Sequence, residues 1–233
     1  MSKISRRGFV GQAAVGLAAL GAVGGETAEA QLVYQRSDWN IKEFDELVRV
    51  PARAKQVYDA TAIDSGKFLN NIKNSFNGLQ FGFGVPAQQI RILAGLHGAA
   101  NMVNYDDYVW QKYRLGELLN ETDAETGKPA VRNPYFPSNV PKNASRDLED
   151  ERSIYQDTSV QGLQARGVKF LSCHTGLEEA AHLVVKRWKL SQTREEVAKD
   201  MLAHVHEGVL VVPSMVASLV LLQSEGHYSY IKV

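Results

Sequence analysis

From position 54 onward, apolar runs of strand type alternate with stretches whose apolar residues recur every three or four positions. The run "AKQVYDATAI" (54–63) reads as a first strand. After a turn at Asp64-Ser65-Gly66, Leu69, Ile72, Phe76 and Leu79 line one face of a helix. "IRILAGL" (90–96) is a second strand, introduced by Pro86 and running into His97-Gly98. Tyr105, Tyr108, Val109 and Lys112 give a second amphipathic segment that ends near Leu119. A third helix is predicted over 152–166, stopped by Gly167, and "VKFLS" is a third strand with Cys173 at its carboxyl end. Thr175-Gly176-Leu177-Glu178 has the form of a capping box and predicts a helix starting about two residues after the cysteine. Leu177, Ala180, Ala181, Val184, Val185 and Trp188 continue it at helical spacing. Thr193 to Glu196 repeats the signature for a helix carrying Val197, Met201 and Val205. "GVLVVP" is a fourth strand, 215–223 a further helix closed by Gly226, and "HYSYIKV" a terminal strand. Strands separated by helices predict an α/β fold in three layers: a mainly parallel five-stranded sheet with helices on both faces.

Two regions break this alternation. Residues 120–150 are rich in Asn, Asp, Glu, Pro and Gly and have almost no periodicity, so they read as an inserted loop. Its aromatic stretch "NPYFPSNVP" suits either a solvated excursion or a lid over a site. The first thirty residues follow the rules of a signal peptide: Lys3, Arg6 and Arg7, then a run of small and apolar residues, then Ala28-Glu29-Ala30 as a small-x-small cleavage pattern. Within it, Ser5-Arg6-Arg7-Gly8-Phe9-Val10 resembles the twin-arginine export signal, which implies transport of a folded protein across the cytoplasmic membrane into an extracytoplasmic, periplasmic-type compartment. The expected organisation is therefore a signal peptide over 1–30, an N-terminal extension over 31–53, and one α/β domain over 54–233.

Composition narrows the function classes. In 233 residues, 26 basic side chains balance 26 acidic ones, and neutrality survives removal of the signal peptide. No basic footprint for nucleic acid exists, and nothing expects the mature chain to enter a membrane. The chain has one cysteine. In an oxidising compartment a thiol with no partner in its own chain is either buried and inert or reacts with another molecule.

The candidate chemistry gathers at strand ends. In open parallel sheets, sites form beyond the carboxyl ends of strands, where the amides of following helices point outward. Cys173 and His97 both fall there, and His174 adjoins the thiol. A helix N-terminus favours the thiolate form of a cysteine beside it, and either imidazole could assist by charge or proton transfer. Dithiol redox chemistry needs a second cysteine, which leaves single-thiol work: persulfide formation, thiol transfer or nucleophilic attack. A metal centre is not expected, because His97, Cys173, His174 and His182 show no ligand spacing, and His204 and His206, two apart, would diverge on a helix. "GFGVP" (82–86) precedes a strand rather than joining strand to helix, so no dinucleotide site is expected, and no cofactor is implied. No Gly-x-Ser-x-Gly elbow is present.

Three stretches carry a family resemblance: "RILAGLHGAA", "LQARGVKFLSCHTGL" and "GVLVVPSMVASLVLLQSEGHYSYIKV". With them the chain from about Ala54 onward, apart from the insertion, resembles the DsrE/DsrF-like family of small α/β proteins associated with sulfur metabolism. The resemblance implies that Cys173 carries sulfane sulfur as a persulfide, received from small sulfur compounds or a sulfur-donor protein, in a homo-oligomer. Two other readings stay open: a non-catalytic module holding a small anion or a metal at the strand ends, and an oligomeric structural protein with an inert thiol.

Overall fold

The computed structural model describes residues 35–137 and 145–233. The expected signal peptide, the first residues of the extension and the middle of the insertion lie outside the described residues. Five strands form one sheet, β1 (Ala54–Ala60), β2 (Ile90–Leu96), β3 (Lys169–Cys173), β4 (Leu210–Val212) and β5 (Ser229–Lys232), in the order β4-β3-β2-β1-β5, every pair parallel. This is an α/β fold. The three inner strands are apolar on both faces because both faces are covered, as a parallel sheet requires.

Alternation along the strands separates two cores. Tyr58, Ile92, Ala94 and Phe170 face helices α2 (Lys67–Asn77), α6 (His174–Trp188) and α7 (Arg194–Leu202). The residues between them, Val57, Leu93 and Leu171, face the opposite way with Leu210 and Val212, and are covered by Phe44 and Val48 of α1 (Ile41–Arg49) and by Met215, Leu219 and Leu222 of α8 (Met215–Ser224). Helix α1 lies in the stretch read only as an extension. Its signals are present: Asn40 caps it by accepting from the Glu43 amide, and Ile41, Phe44 and Val48 share one face. It is tied down by Lys169 Nζ to Glu43 Oε1 (2.5 Å) and by the Tyr228 hydroxyl donating to the Leu47 carbonyl (2.8 Å).

Several predicted elements shift. β1 stops at Ala60 instead of residue 63, because the chain turns at Asp64, Ser65 and Gly66, all at positive φ. The amphipathic segment near 105–119 is two short helices, α3 (Asp107–Lys112) and α4 (Leu115–Leu119), broken where Arg114 adopts φ 51° and lays its guanidinium over Trp188. The helix expected over 152–166 shrinks to α5 (Val160–Ala165), since Ser159 caps it by accepting from the Gly162 amide and the preceding residues form turns. The capping box at Thr193 and Glu196 forms as expected. That at Thr175 and Glu178 does not, because the helix starts earlier, at His174, with Cys173 as its N-cap. The insertion is not a plain solvated excursion: Ala130 and Asn133 are buried, and Asn133 Nδ2 donates to the carbonyls of Val103 (2.9 Å) and Tyr105 (2.8 Å).

The connections place the functional edge. β1, β2 and β3 each send the chain to the α2/α6 face, whereas β4 sends it to α8 on the other face. The chain therefore leaves the neighbours β3 and β4 toward opposite faces, which makes their carboxyl ends a topological switch point, the usual place for sites in parallel sheets.

Candidate functional site

Cys173 is the last residue of β3 and pairs with Val212, the last of β4, so it stands at this switch point, buried in the same cluster as Leu171, Val212 and Met215. Its sulfur accepts two backbone N–H groups, from Gly176 in the first turn of α6 (3.4 Å) and from Met215, the first residue of α8 (3.3 Å). Each helix lies on a different face of the sheet, and both aim their positive ends at one atom. The Thr175 hydroxyl sits 3.1 Å from the same sulfur. Such a cradle of donors suits a sulfur that carries negative charge. The residue is 3% exposed and packs inside the core on the α1/α8 side of the sheet.

The end of β3 is held by a buried amide. Asn101 Oδ1 accepts from the Cys173 amide (3.0 Å) and from Ser172 Oγ (2.9 Å), while Asn101 Nδ2 donates to the Cys173 carbonyl (2.9 Å). One side chain thus does for Cys173 what a neighbouring strand does elsewhere in the sheet. Asn104 Nδ2 adds a bond to the Leu171 carbonyl (3.3 Å), and the Tyr105 hydroxyl lies 3.1 Å from Ser172 Oγ. Burial pushes the Tyr105 phenol upward, so it stays protonated.

The two candidate histidines are placed differently. His174 begins α6, is buried, and meets the edge of Trp39 at 5.1 Å between ring centres. Desolvation lowers its pKa, with the charge of Glu178 opposing in part. His97 leaves β2 just before Gly98, whose φ of +55° brings the backbone so close that a Cβ would stand 2.8 Å from the Thr61 carbonyl oxygen. Its ring turns toward β1, where Nε2 lies 2.5 Å from Asp59 Oδ1, and no hydrogen bond joins it to Cys173. The Tyr230 hydroxyl of β5 donates to the other carboxylate oxygen (2.6 Å). Burial alone would raise the Asp59 carboxyl, but the bonds from His97 and Tyr230, with the charges of His97 and Lys232, outweigh it and hold the group below the ordinary carboxylate range. The Tyr230 phenol is pushed up to about 12 by desolvation and by this carboxylate.

His204 lies in the turn that closes α7 and His206 just beyond it, so neither stands on a helix, and each is held by its own partners. His204 stacks on Tyr108 and bonds Asp106 through Nδ1 (2.9 Å), and His206 stacks on Phe136 of the insertion at 3.4 Å. Among the described residues no group of three or more His, Cys, Asp or Glu is placed to hold a metal ion. Asn101, Thr175, the Met215 amide, Asp59 and Tyr230 were not singled out from the sequence as site residues. Only Asp59 left a signal there, as a carboxylate inside an otherwise apolar strand end.

Fold and site together define an α/β protein with a single thiol at the switch point between two strands. Set against family models, curated proteins and solved structures, the chain finds no match.

Proposed function

We propose that the protein handles sulfane sulfur, with Cys173 as its carrier, in line with the DsrE/DsrF-like resemblance of its sequence. The observation that carries this reading is the convergence of two helix N-termini on the sulfur. A thiolate or persulfide anion is stabilised there by backbone groups that need no rearrangement when charge develops. Loading from a donor persulfide R–S–SH balances without an external oxidant. The Cys173 sulfur attacks the outer sulfur, the donor S–S bond breaks, Cys173–S–SH forms, and the proton released by the thiol goes to the departing R–S⁻ to give R–SH. The protein is read as extracytoplasmic, since a carrier that meets sulfur compounds outside the cytoplasm matches the export signal read in its first thirty residues. Among the described residues no helix is long and apolar enough to cross a membrane.

The test is persulfide content after polysulfide treatment, measured by release of sulfur to cyanide. Wild type takes up about one sulfur per chain and Cys173→Ser takes up none; equal uptake by both sinks the proposal.

A second reading is favoured by the burial of the sulfur: Cys173 is then only the N-cap of α6, in a structural protein. That reading predicts a thiol that resists alkylation until the chain unfolds. A homo-oligomer fits either reading, and the outer face of α8 supports it. Val216 and Val220 are 62% and 60% exposed on a helix that is apolar on all sides.

A further inference from the structure

We propose that Asp59, His97 and Tyr230 form a proton-transfer site of their own, in which His97 takes a proton through Nδ1 from a small protic nucleophile, water or a thiol, as that nucleophile attacks an electrophilic substrate. The site lies over the carboxyl ends of β1, β2 and β5 and needs no reaction at Cys173.

Asp59 is 6% exposed in a strand whose neighbours Tyr58 and Ala60 are core. A buried carboxylate is costly unless its oxygens are satisfied, and here each oxygen faces a different donor side chain, the His97 ring and the Tyr230 hydroxyl. An ionised carboxylate only accepts hydrogen bonds, so the neutral His97 ring must carry its proton on Nε2. The lone pair is then left on Nδ1. Asp59 is the ring's hydrogen-bond partner among the described residues, and the side chain keeps 21% of its surface open. Tyr230 restrains the carboxylate, the carboxylate orients the imidazole, and the imidazole offers a base to solvent: a base held by an orienting group, the arrangement that general base catalysis requires. Asp59 and Tyr230 are positioning residues, and His97 is the group that meets the substrate. Glu179 of α6 and Lys232 of β5 are the further charged groups felt at this site, the first by His97 and the second by Asp59.

The probe is p-nitrophenyl acetate, attacked by water. An O–H bond of water breaks, its oxygen bonds to the acyl carbon, and its proton passes to Nδ1. The ester C–O bond then breaks and the proton returns to the leaving phenolate, giving acetic acid and p-nitrophenol. Two measurements on the full chain decide the matter. Nitrogen-15 NMR of the neutral His97 ring is expected to show the proton on Nε2, and in Asp59→Asn a mixture of the two tautomers. Ester hydrolysis by wild type is expected to exceed that of His97→Gln about a hundredfold, the low end of what a positioned base contributes. Asp59→Asn should fall to the His97→Gln rate and Tyr230→Phe part of the way, every rate being compared in a Cys173→Ser background so that acetylation of the thiol does not contribute. A wild-type ring protonated on Nδ1 overturns the proposal, as does a His97→Gln rate equal to wild type. Loss of the rate in Cys173→Ser assigns the activity to the thiol and overturns it as well. Should Asp59→Asn fail to fold, the wild-type tautomer and the His97→Gln rate still decide.

Discussion

The Cys173 strand end and the Asp59–His97–Tyr230 cluster share one edge of one sheet, two strands apart, yet their acceptor atoms are satisfied by opposite means. At Cys173 the donors are mainly backbone amides fixed by the starts of α6 and α8. At Asp59 they are side chains, each replaceable by one substitution. The first arrangement follows from topology, since only neighbours that the chain leaves toward opposite faces bring two helix starts to one atom. The second follows from three residue choices. A backbone cradle should therefore resist point mutation near the sulfur and fail only when the strand end itself is released, whereas the side-chain cluster should fail piecemeal.

The largest expected effect releases the strand end. Asn101→Ala leaves the Cys173 amide and carbonyl without their buried side-chain partner, and should cost about 3 kcal/mol of stability, read by chemical denaturation. It should also speed alkylation of Cys173 in the folded protein. A variant as stable as wild type would remove the claim that this side chain holds the site.

Acid separates the regions next. The His206 ring, stacked under Phe136, has its pKa lowered to about 4 by burial. A base whose folded value is depressed stays neutral while the unfolded chain takes up the proton, so stability present above about pH 6.5 is lost as pH falls toward 4. His206→Phe should remove about 2 kcal/mol of that loss, read as denaturation midpoints at pH 7 and pH 4. Asp59 acts in the same direction at lower pH. Its depressed carboxyl contributes stability above the ordinary carboxylate range, and this is lost as pH falls below about 4. Asp59→Asn should lower stability at pH 7 by about 2 kcal/mol, the worth of hydrogen bonds to a buried charged group, and should flatten the acid limb that remains in His206→Phe. The smallest effect belongs to the backbone cradle. Thr175→Val removes the hydroxyl beside the sulfur but neither amide, so it should cost about 1 kcal/mol or less and leave sulfur loading largely intact.

Much of the fold was legible because its signals are local and redundant. β2 matches its predicted bounds, and the Thr193 capping box forms, because each is written in consecutive residues. The start of α6 was misplaced because Thr175-x-x-Glu178 is a valid cap by sequence, and only the pull of two amides on sulfur shows that Cys173 takes the role. Long-range partners left no trace. Asn101 and Cys173 are 72 positions apart, and Tyr230 and Asp59 are 171 apart, so the residues that complete both sites come together only when the strands are ordered. Cys173, His97 and His174 were singled out by position at strand ends, but position does not tell which way a ring turns. His97 faces β1.

The measurement to make first on the proposal that Cys173 carries sulfane sulfur is intact-mass spectrometry of the folded protein before and after exposure to polysulfide, each with and without reductant. The account predicts a gain of whole sulfur atoms, reversed by reductant and located at Cys173. A mass that stays unchanged, in a protein whose thiol also refuses alkylating reagents until unfolded, would show that Cys173 is a helix cap and nothing more.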